Sequence, residues 1–211
     1  VLDGAASLDL TMYLLAPTVL RVAPRELRAR AQARFGAELR RAGSFAQLCL
    51  LGAQDCLDAA PAAGPLGMLW TSTHGALLAT RAALADGLSR GEPAMPFTFV
   101  ATQPHLAAAF LAQRSHRIAR SAFVYLAAEG WPWLARLAQA WLPDCGRILV
   151  GRVEESIADD VAHQSDWCLL AKEPGERLSI PFEGSDFLRA LQGAMRPGKP
   201  APTDGSFEAD I

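Results

Sequence analysis

Long apolar runs are missing from this chain. No stretch approaches the ~18 to 20 consecutive apolar residues that cross a bilayer as a helix, so a membrane span is not expected anywhere in its 211 residues. The N-terminus also lacks the basic, apolar, small-residue order of a secretory signal, and the two absences together predict a cytoplasmic protein. The first residue is Val rather than Met, so the numbering can omit leading residues. Cysteine is sparse and unpatterned: Cys49, Cys56, Cys145 and Cys168 show neither C-x-x-C spacing nor a nearby pair of His. Free thiols are therefore expected, with no metal. The glycines form neither G-x-G-x-x-G nor a Walker loop, which removes the sequence basis for a nucleotide, and no other cofactor is predicted. Charge of one sign is lacking as well. A net charge of −2 gives no general attraction to nucleic acid or anionic lipid.

What is present suits a packed α/β domain. With 51% hydrophobic residues against 20% charged, the chain can close a core on both faces of a sheet. The length fits a single domain over residues 1–195. Residues 196–211 hold Pro197, Gly198, Pro200, Pro202 and Gly205, a composition expected of a flexible tail.

Pro24 to Arg41 reads as a helix with Pro in its first turn and Leu27, Ala31, Phe35 and Leu39 on one face. Ser44-Phe-Ala-Gln47 has the spacing of a capping box and opens a second helix through about Leu57. Leu66 to Ser72 is a buried-strand candidate, and Gly75 to Arg90 a helix stopped by Gly91. Pro93 to Gln103 is expected to contain extended structure, followed by a short helix from Pro104-His105 to about Gln113. Ile118 to Leu126 is a strand, Pro132 to Leu142 a helix and Arg147 to Val153 a strand. Asp166 to Ala171 and Arg177 to Ile180 are strand candidates that a Pro174-Gly175 turn can join as a hairpin. Asp186 to Met195 closes the list of elements as a helix.

The segment from Ser121 to Val153 carries the most information. Strand, tight elbow, helix and second strand form the βαβ arrangement in which many enzymes mount a nucleophile at the helix start. Here the elbow residues Ala127, Ala128, Glu129, Gly130, Trp131, Pro132 and Trp133 include no Cys, Ser or Thr.

Three places in a fixed order carry a family resemblance: Thr71-Ser-Thr-His-Gly75, Gln103-Pro-His-Leu-Ala-Ala-Ala109, and Leu126 to Ala140 followed by Ile148-Leu-Val-Gly-Arg-Val-Glu-Glu155. Over roughly Pro65 to Ala171 the chain resembles the N-terminal half of a β-ketoacyl synthase. It resembles more closely the short chain-length-factor-like proteins encoded with bacterial type II polyketide and aryl-polyene pathways. The three places look like the small-residue turn, the Pro-Asn-x-x-Ala segment with His105 in place of Asn, and the nucleophile elbow with a strand ending in Gly-Gly-x-Glu.

The resemblance implies an α/β thiolase-like half-fold, a mixed β-sheet with helices packed on it. A condensing enzyme of this family needs an elbow Cys and further catalytic residues from a second half, for which this chain is expected to leave no room. The implied role is a catalytically silent partner in polyketide, aryl-polyene or fatty-acid-like chain assembly, with no catalytic residue of its own. Glu129 and Gly130 would mark the vestigial elbow, where chain length factors typically carry Gln. A ketosynthase subunit and an acyl carrier protein are the implied partners, in a dimer that is either hetero or homo.

Each candidate has a plainer reading beside it. Glu129 can act on a bound thioester, or simply stabilise the helix start against the dipole by about 0.3 to 1 kcal/mol. Trp131 and Trp133 can plug the space an active relative uses for its acyl chain, or serve with Trp141 as ordinary core or interface residues. Ser72 and His74, with Asp86 as a possible third member, are the only basis for a stand-alone hydrolase or acyltransferase, and no G-x-S-x-G elbow supports it. His105 caps or packs at a helix start unless it contacts a ligand, and His163 carries no signal. The arginine-rich first helix, Arg25, Arg28 and Arg34 above all, is a solvated face or a docking surface for an acidic carrier protein. It could also make the chain a binding module without chemistry; nucleic acid fits less well because aromatic interleaving is absent.

Overall fold

The computed structural model describes residues 12–37, 39, 42–60, 64–91, 96–115, 118–126, 131–172 and 185–194. Strands β1 (Tyr13–Val22), β2 (Leu66–Ser72), β3 (Ile118–Tyr125), β4 (Arg147–Glu154) and β5 (His163–Ala171) form one sheet in the order β1-β5-β4-β2-β3. β2 pairs in parallel with both β3 and β4, whereas β5 runs antiparallel to β4 and β1 antiparallel to β5. The parallel strands need crossover connections. Helices α3 (Leu77–Arg90), α4 (Pro96–Ala101) and α5 (Leu106–Ser115) lead from β2 to β3, and α6 (Trp131–Cys145) leads from β3 to β4.

Two apolar cores result, one on each sheet face. On the first, α1 (Pro24–Phe35), α2 (Ser44–Ala59) and α5 cover Met68, Trp70, Leu149, Val153, Trp167 and Leu169. On the second, α6 and α7 (Asp186–Ala194) cover Leu69, Ile148, Val150, Cys168 and Leu170. A sheet covered on both faces explains why β2, β4 and β5 read as near-continuous apolar runs.

Trp167 sets the packing of the first face. Its indole lies against Gly151, its cross-strand partner on β4, and a Cβ on Gly151 would overlap the ring. On the other side a Cβ at Gly52 of α2 would fall 2.7 Å from the same ring. Its Nε1 donates to Ser165 Oγ at 2.8 Å. A second network anchors α7: the fully buried Asp166 accepts from Arg21 Nη1 at 2.7 Å and from Ser185 Oγ at 2.6 Å, and Ser185 Oγ in turn accepts from Leu188 N–H. Ser185 thus caps the helix while tying it to β5.

Several expectations change. β1 was not among the predicted strands; Pro17 sits at its irregularity, where the register shifts between Leu15 and Thr18 and Ala16 takes φ 46°. Pro is tolerated there because β1 is an end strand of the sheet among the described residues and a bulge needs no N–H. The first helix stops at Phe35 rather than Arg41 because Gly36, at φ 79°, turns the chain away. Leu39 is buried all the same. The expected extended segment at 93–103 contains helix α4, with Pro96 in its first turn and N–H groups of Thr102 and Gln103 closing onto Phe99 and Val100 carbonyls. Pro is compatible with the opening of a helix, and here it begins one.

The capping box at Ser44 is not formed. Gly43 is the N-cap, Ser44 Oγ donates to Glu155, and Gln47 Nε2 donates to the Leu39 and Ala42 carbonyls. The proposed strand at Arg177–Ile180, its Pro174-Gly175 turn and the tail after residue 195 lie outside the described residues.

Candidate functional site

The carboxyl ends of β2, β3 and β4 form one crest, the place where open parallel sheets gather polar groups. β2 ends on Ser72, whose hydroxyl accepts N–H bonds from His74 (3.2 Å) and Gly75 (2.8 Å) and donates to Glu154 at 3.1 Å. Gly75 is at φ 62°, and a Cβ there would stand 2.6 Å from the Tyr125 hydroxyl. Both the backbone conformation and the space require glycine.

Glu154 fills its remaining acceptor sites locally. Its Oε1 receives Thr73 N–H (2.8 Å), Thr73 Oγ1–H (2.9 Å) and Arg152 Nε–H (3.0 Å). The next residue, Glu155, points to the other face. It accepts from Ser44 Oγ and from Leu78 N–H at 3.0 Å, so a β4 carboxylate caps α3, whose own N-cap residue Ala76 provides no side-chain bond. Burial pushes the Glu155 carboxyl above its ordinary value, and the bonds from Ser44 and the helix-start N–H groups pull against that rise.

Two more groups complete the crest. His163, at the start of β5, is buried with Nδ1 accepting from Ser156 N–H at 2.9 Å. Burial lowers its pKa, so the neutral ring is the folded form. An aromatic file leads outward from the core: His105 and Trp70 centroids stand 5.2 Å apart, Trp70 and Phe123 5.7 Å, Phe123 and Tyr125 4.8 Å. Trp70 Nε1 and Thr71 Oγ1 are buried without a hydrogen-bond partner.

The arrangement bears on each predicted residue. Ser72 is 1% exposed and bonded to a carboxylate and two backbone amides, while His74 meets it only through its backbone N–H. Among the described residues the Ser72 hydroxyl bonds to no imidazole, and its bonds to the His74 and Gly75 N–H groups close a turn. His105 is exposed and packs edge-on to Trp70. Glu129 and Gly130 lie outside the described residues, as does the Trp131 side chain. Trp133 is 51% exposed on the first turn of α6. Trp141 is half-buried under the Arg120 guanidinium, 5.3 Å from the ring centroid, with Arg120 also paired to Asp144 at 3.2 Å.

On α1, Arg25 and Arg28 are exposed, but Arg34 is bound to Asp58 and Asp55 of α2 and Arg30 to Glu26. The four cysteines are free and buried, and burial raises the thiols of Cys49, Cys56, Cys145 and Cys168. Among the described residues no group of three or more His, Cys, Asp or Glu is placed to hold a metal, and no helix is long and apolar enough to cross a membrane.

Sequence reading missed the separate roles of Glu154 and Glu155. The signal available was two carboxylates directly after an apolar strand, at the place likened to Gly-Gly-x-Glu.

Comparison with known proteins places the fold. No protein-family model matches the chain, and no curated protein matches it. Solved structures do. A ketosynthase in complex with its chain length factor from Xenorhabdus doucetiae matches with TM-score 0.57 and 16% identity, over 79% of this chain and 81% of that one. The ishigamide ketosynthase/chain length factor matches with TM-score 0.57 and 17% identity over 72% of this chain. Ketosynthase twelve of the bacillaene polyketide synthase in Bacillus amyloliquefaciens matches with TM-score 0.54 and 9% identity over 76%. This chain spans 49% and 41% of the latter two. The mixed sheet with helices on both faces is the thiolase-like fold of the ketosynthases.

Proposed function

We propose that this chain is a catalytically silent, chain-length-factor-like subunit that works beside a ketosynthase in polyketide, aryl-polyene or fatty-acid-like chain assembly. One observation carries the reading: in a thiolase-like fold, the elbow between β3 and α6 offers no Cys, Ser or Thr. The crest agrees with it. Ser72, Thr73, Arg152, Glu154 and Glu155 spend their hydrogen bonds on one another and on the starts of α2 and α3. Such a network holds a surface in shape, and the lack of an activated nucleophile among these residues supports the silent reading.

The partner would be met on the β3 side of the molecule. β3 is the last strand of the sheet among those described, and α6 leaves Trp133 exposed on its first turn, while Leu137 and Trp141 on the following turns are half-buried and pack at the edge of the core of Leu134, Ala138 and Leu142. An unpaired edge beside an aromatic stripe suits a protein partner. Arg25, Arg28 and Arg34 are the candidate contacts for an acidic carrier protein, and the assembly is assigned to the cytoplasm.

The test is incubation of the purified chain with acyl and malonyl carrier substrates, alone and with its ketosynthase. Alone it should neither decarboxylate malonyl groups nor gain an acyl mass, and with the ketosynthase it should change product yield or length. A covalent acyl adduct mapped to Ser72 or to any Cys would falsify the silent-subunit reading.

A further inference from the structure

A groove of about 370 Å³ opens where β1, α1 and α2 meet, at the opposite end of the sheet from β3. Leu20 of β1, Arg30, Ala33 and Arg34 of α1, and Leu51 and Asp55 of α2 line it. The volume lies in the range of small-molecule sites, which set a few converging polar groups over an apolar surface. Here the apolar surface is aliphatic, made of Leu20, Ala33 and Leu51. Among the described residues no aromatic ring lines the groove, so a nucleobase or another flat ring finds no stacking platform there.

The charged groups of the lining differ in how far they are committed. Arg34 is bound to Asp58 and lies 3.8 Å from Asp55, so it belongs to the α1–α2 contact. Asp58 also accepts from Gln54 Nε2 at 2.7 Å. Arg30 makes no bond across the groove. One Nη2–H reaches Glu26 on its own helix at 3.3 Å, with both side chains about half exposed. Such a loose surface pair leaves the other guanidinium donors open to a ligand.

We infer that this groove binds an aliphatic monocarboxylate, its head on Arg30 and its tail along Leu20, Ala33 and Leu51. A guanidinium and a carboxylate match as planar partners joined by two parallel bonds. The α2 wall limits the ligand to one negative charge. Asp55, with Asp58 behind it, repels the second charge of a phosphate or a dicarboxylate. No residue of β3, α3, α4 or α6 takes part, so the inference stands apart from the ketosynthase partnership. Arg30, Ala33 and Arg34 are exposed, which leaves the groove open, and the expected dissociation constant is on the order of 0.1 to 1 mM.

The experiment is a titration of the full chain with octanoate, followed by amide resonance shifts, for wild type, Arg30→Gln, Ala33→Glu, Asp55→Asn and, as a control, Arg81→Gln on α3. These side chains are exposed or half-buried, so the dichroism of each variant should match wild type. Octanoate should bind saturably, with shifts centred on residues 30–34 and 51–55. Arg30→Gln and Ala33→Glu should raise the dissociation constant about fivefold or more. Asp55→Asn removes the repelling carboxylate and should lower it about two- to threefold. A residue that merely ties α1 to α2 would not tighten binding when neutralised. Arg81→Gln should change nothing, and octanol, octanedioate and inorganic phosphate should each bind more weakly than octanoate. The inference is overturned by an absence of saturable binding up to about 10 mM, by equal affinity in wild type, Arg30→Gln and Ala33→Glu, by weaker binding in Asp55→Asn, or by octanol or phosphate binding as well as octanoate.

Discussion

Gly151 has no side chain because Trp167 occupies the space, and the pair shows how a residue can matter for reasons its neighbours do not reveal. On β2 its register partner is Trp70 and on β5 it is Trp167, so a bare position stands between two fully buried indoles. In the sequence, Gly151 reads only as part of a Gly-containing strand end. The ring that demands it comes 16 positions later, brought alongside by the antiparallel turn-back of β5. Ser72 teaches the same lesson: proximity in the chain suggested His74 as its partner, whereas the fold supplies Glu154, 82 residues away. Gly151→Ala should therefore destabilise the protein by about 1 to 3 kcal/mol, the usual cost of forcing extra volume into a packed core. Urea titration followed by far-ultraviolet dichroism measures it. A midpoint equal to wild type would mean the Trp167 ring moves aside freely.

At the scale of elements, legibility followed burial. β2, β4 and α6 could be read because a parallel sheet covered on both faces writes its strands as apolar runs and its crossover helix as a 3.6-residue stripe, whereas β3, none of whose residues is fully buried, was read from its place before the elbow. β1 escaped because an outer strand with Pro17 at a bulge carries no such pattern, and α4 because its opening Pro96 resembled a breaker. The arginines of α1 read alike in sequence, yet they divide in the structure. Arg28 is exposed, whereas Arg34 bridges to Asp55 and Asp58 and so ties α1 to α2. Charge reversal should separate docking from folding. Arg34→Glu should lower stability by up to about 1 kcal/mol, the scale of exposed ion pairs, and Arg28→Glu should leave the melting point unchanged. Both should weaken binding of an acidic carrier protein, and added salt should mimic them because exposed charges are screened over about 8 Å at physiological ionic strength. Carrier affinity that is flat across the salt series in wild type would remove α1 from the docking surface.

Across the whole molecule, the fold class was carried by the order and spacing of its βαβ units, a property that survives at 16% identity; the crest's hydrogen bonds join residues from α2, β2, α3 and β4 and could not be read from any one segment. Those same long-range ties give the protein a pH response. His163 is buried neutral at the β4–β5 connection, so its folded pKa lies below the unfolded value of about 6.5, with burial as the cause. The unfolded chain then binds more protons than the folded one as pH falls through 6.5, and stability must fall with it until the folded ring also protonates. Glu155 acts in the opposite sense. Its folded carboxyl titrates above its ordinary value, so the folded chain takes up the proton first, and acidification through that range favours folding. The His163 contribution is isolated by His163→Gln, whose amide oxygen can still accept the Ser156 N–H bond without titrating. Between pH 7.5 and 5.5, an interval chosen to straddle the ordinary His pKa of about 6.5, unfolding free energy from urea titrations should decline more steeply in wild type than in His163→Gln. Equal slopes in the two proteins would show that His163 is not the group whose protonation opposes the fold.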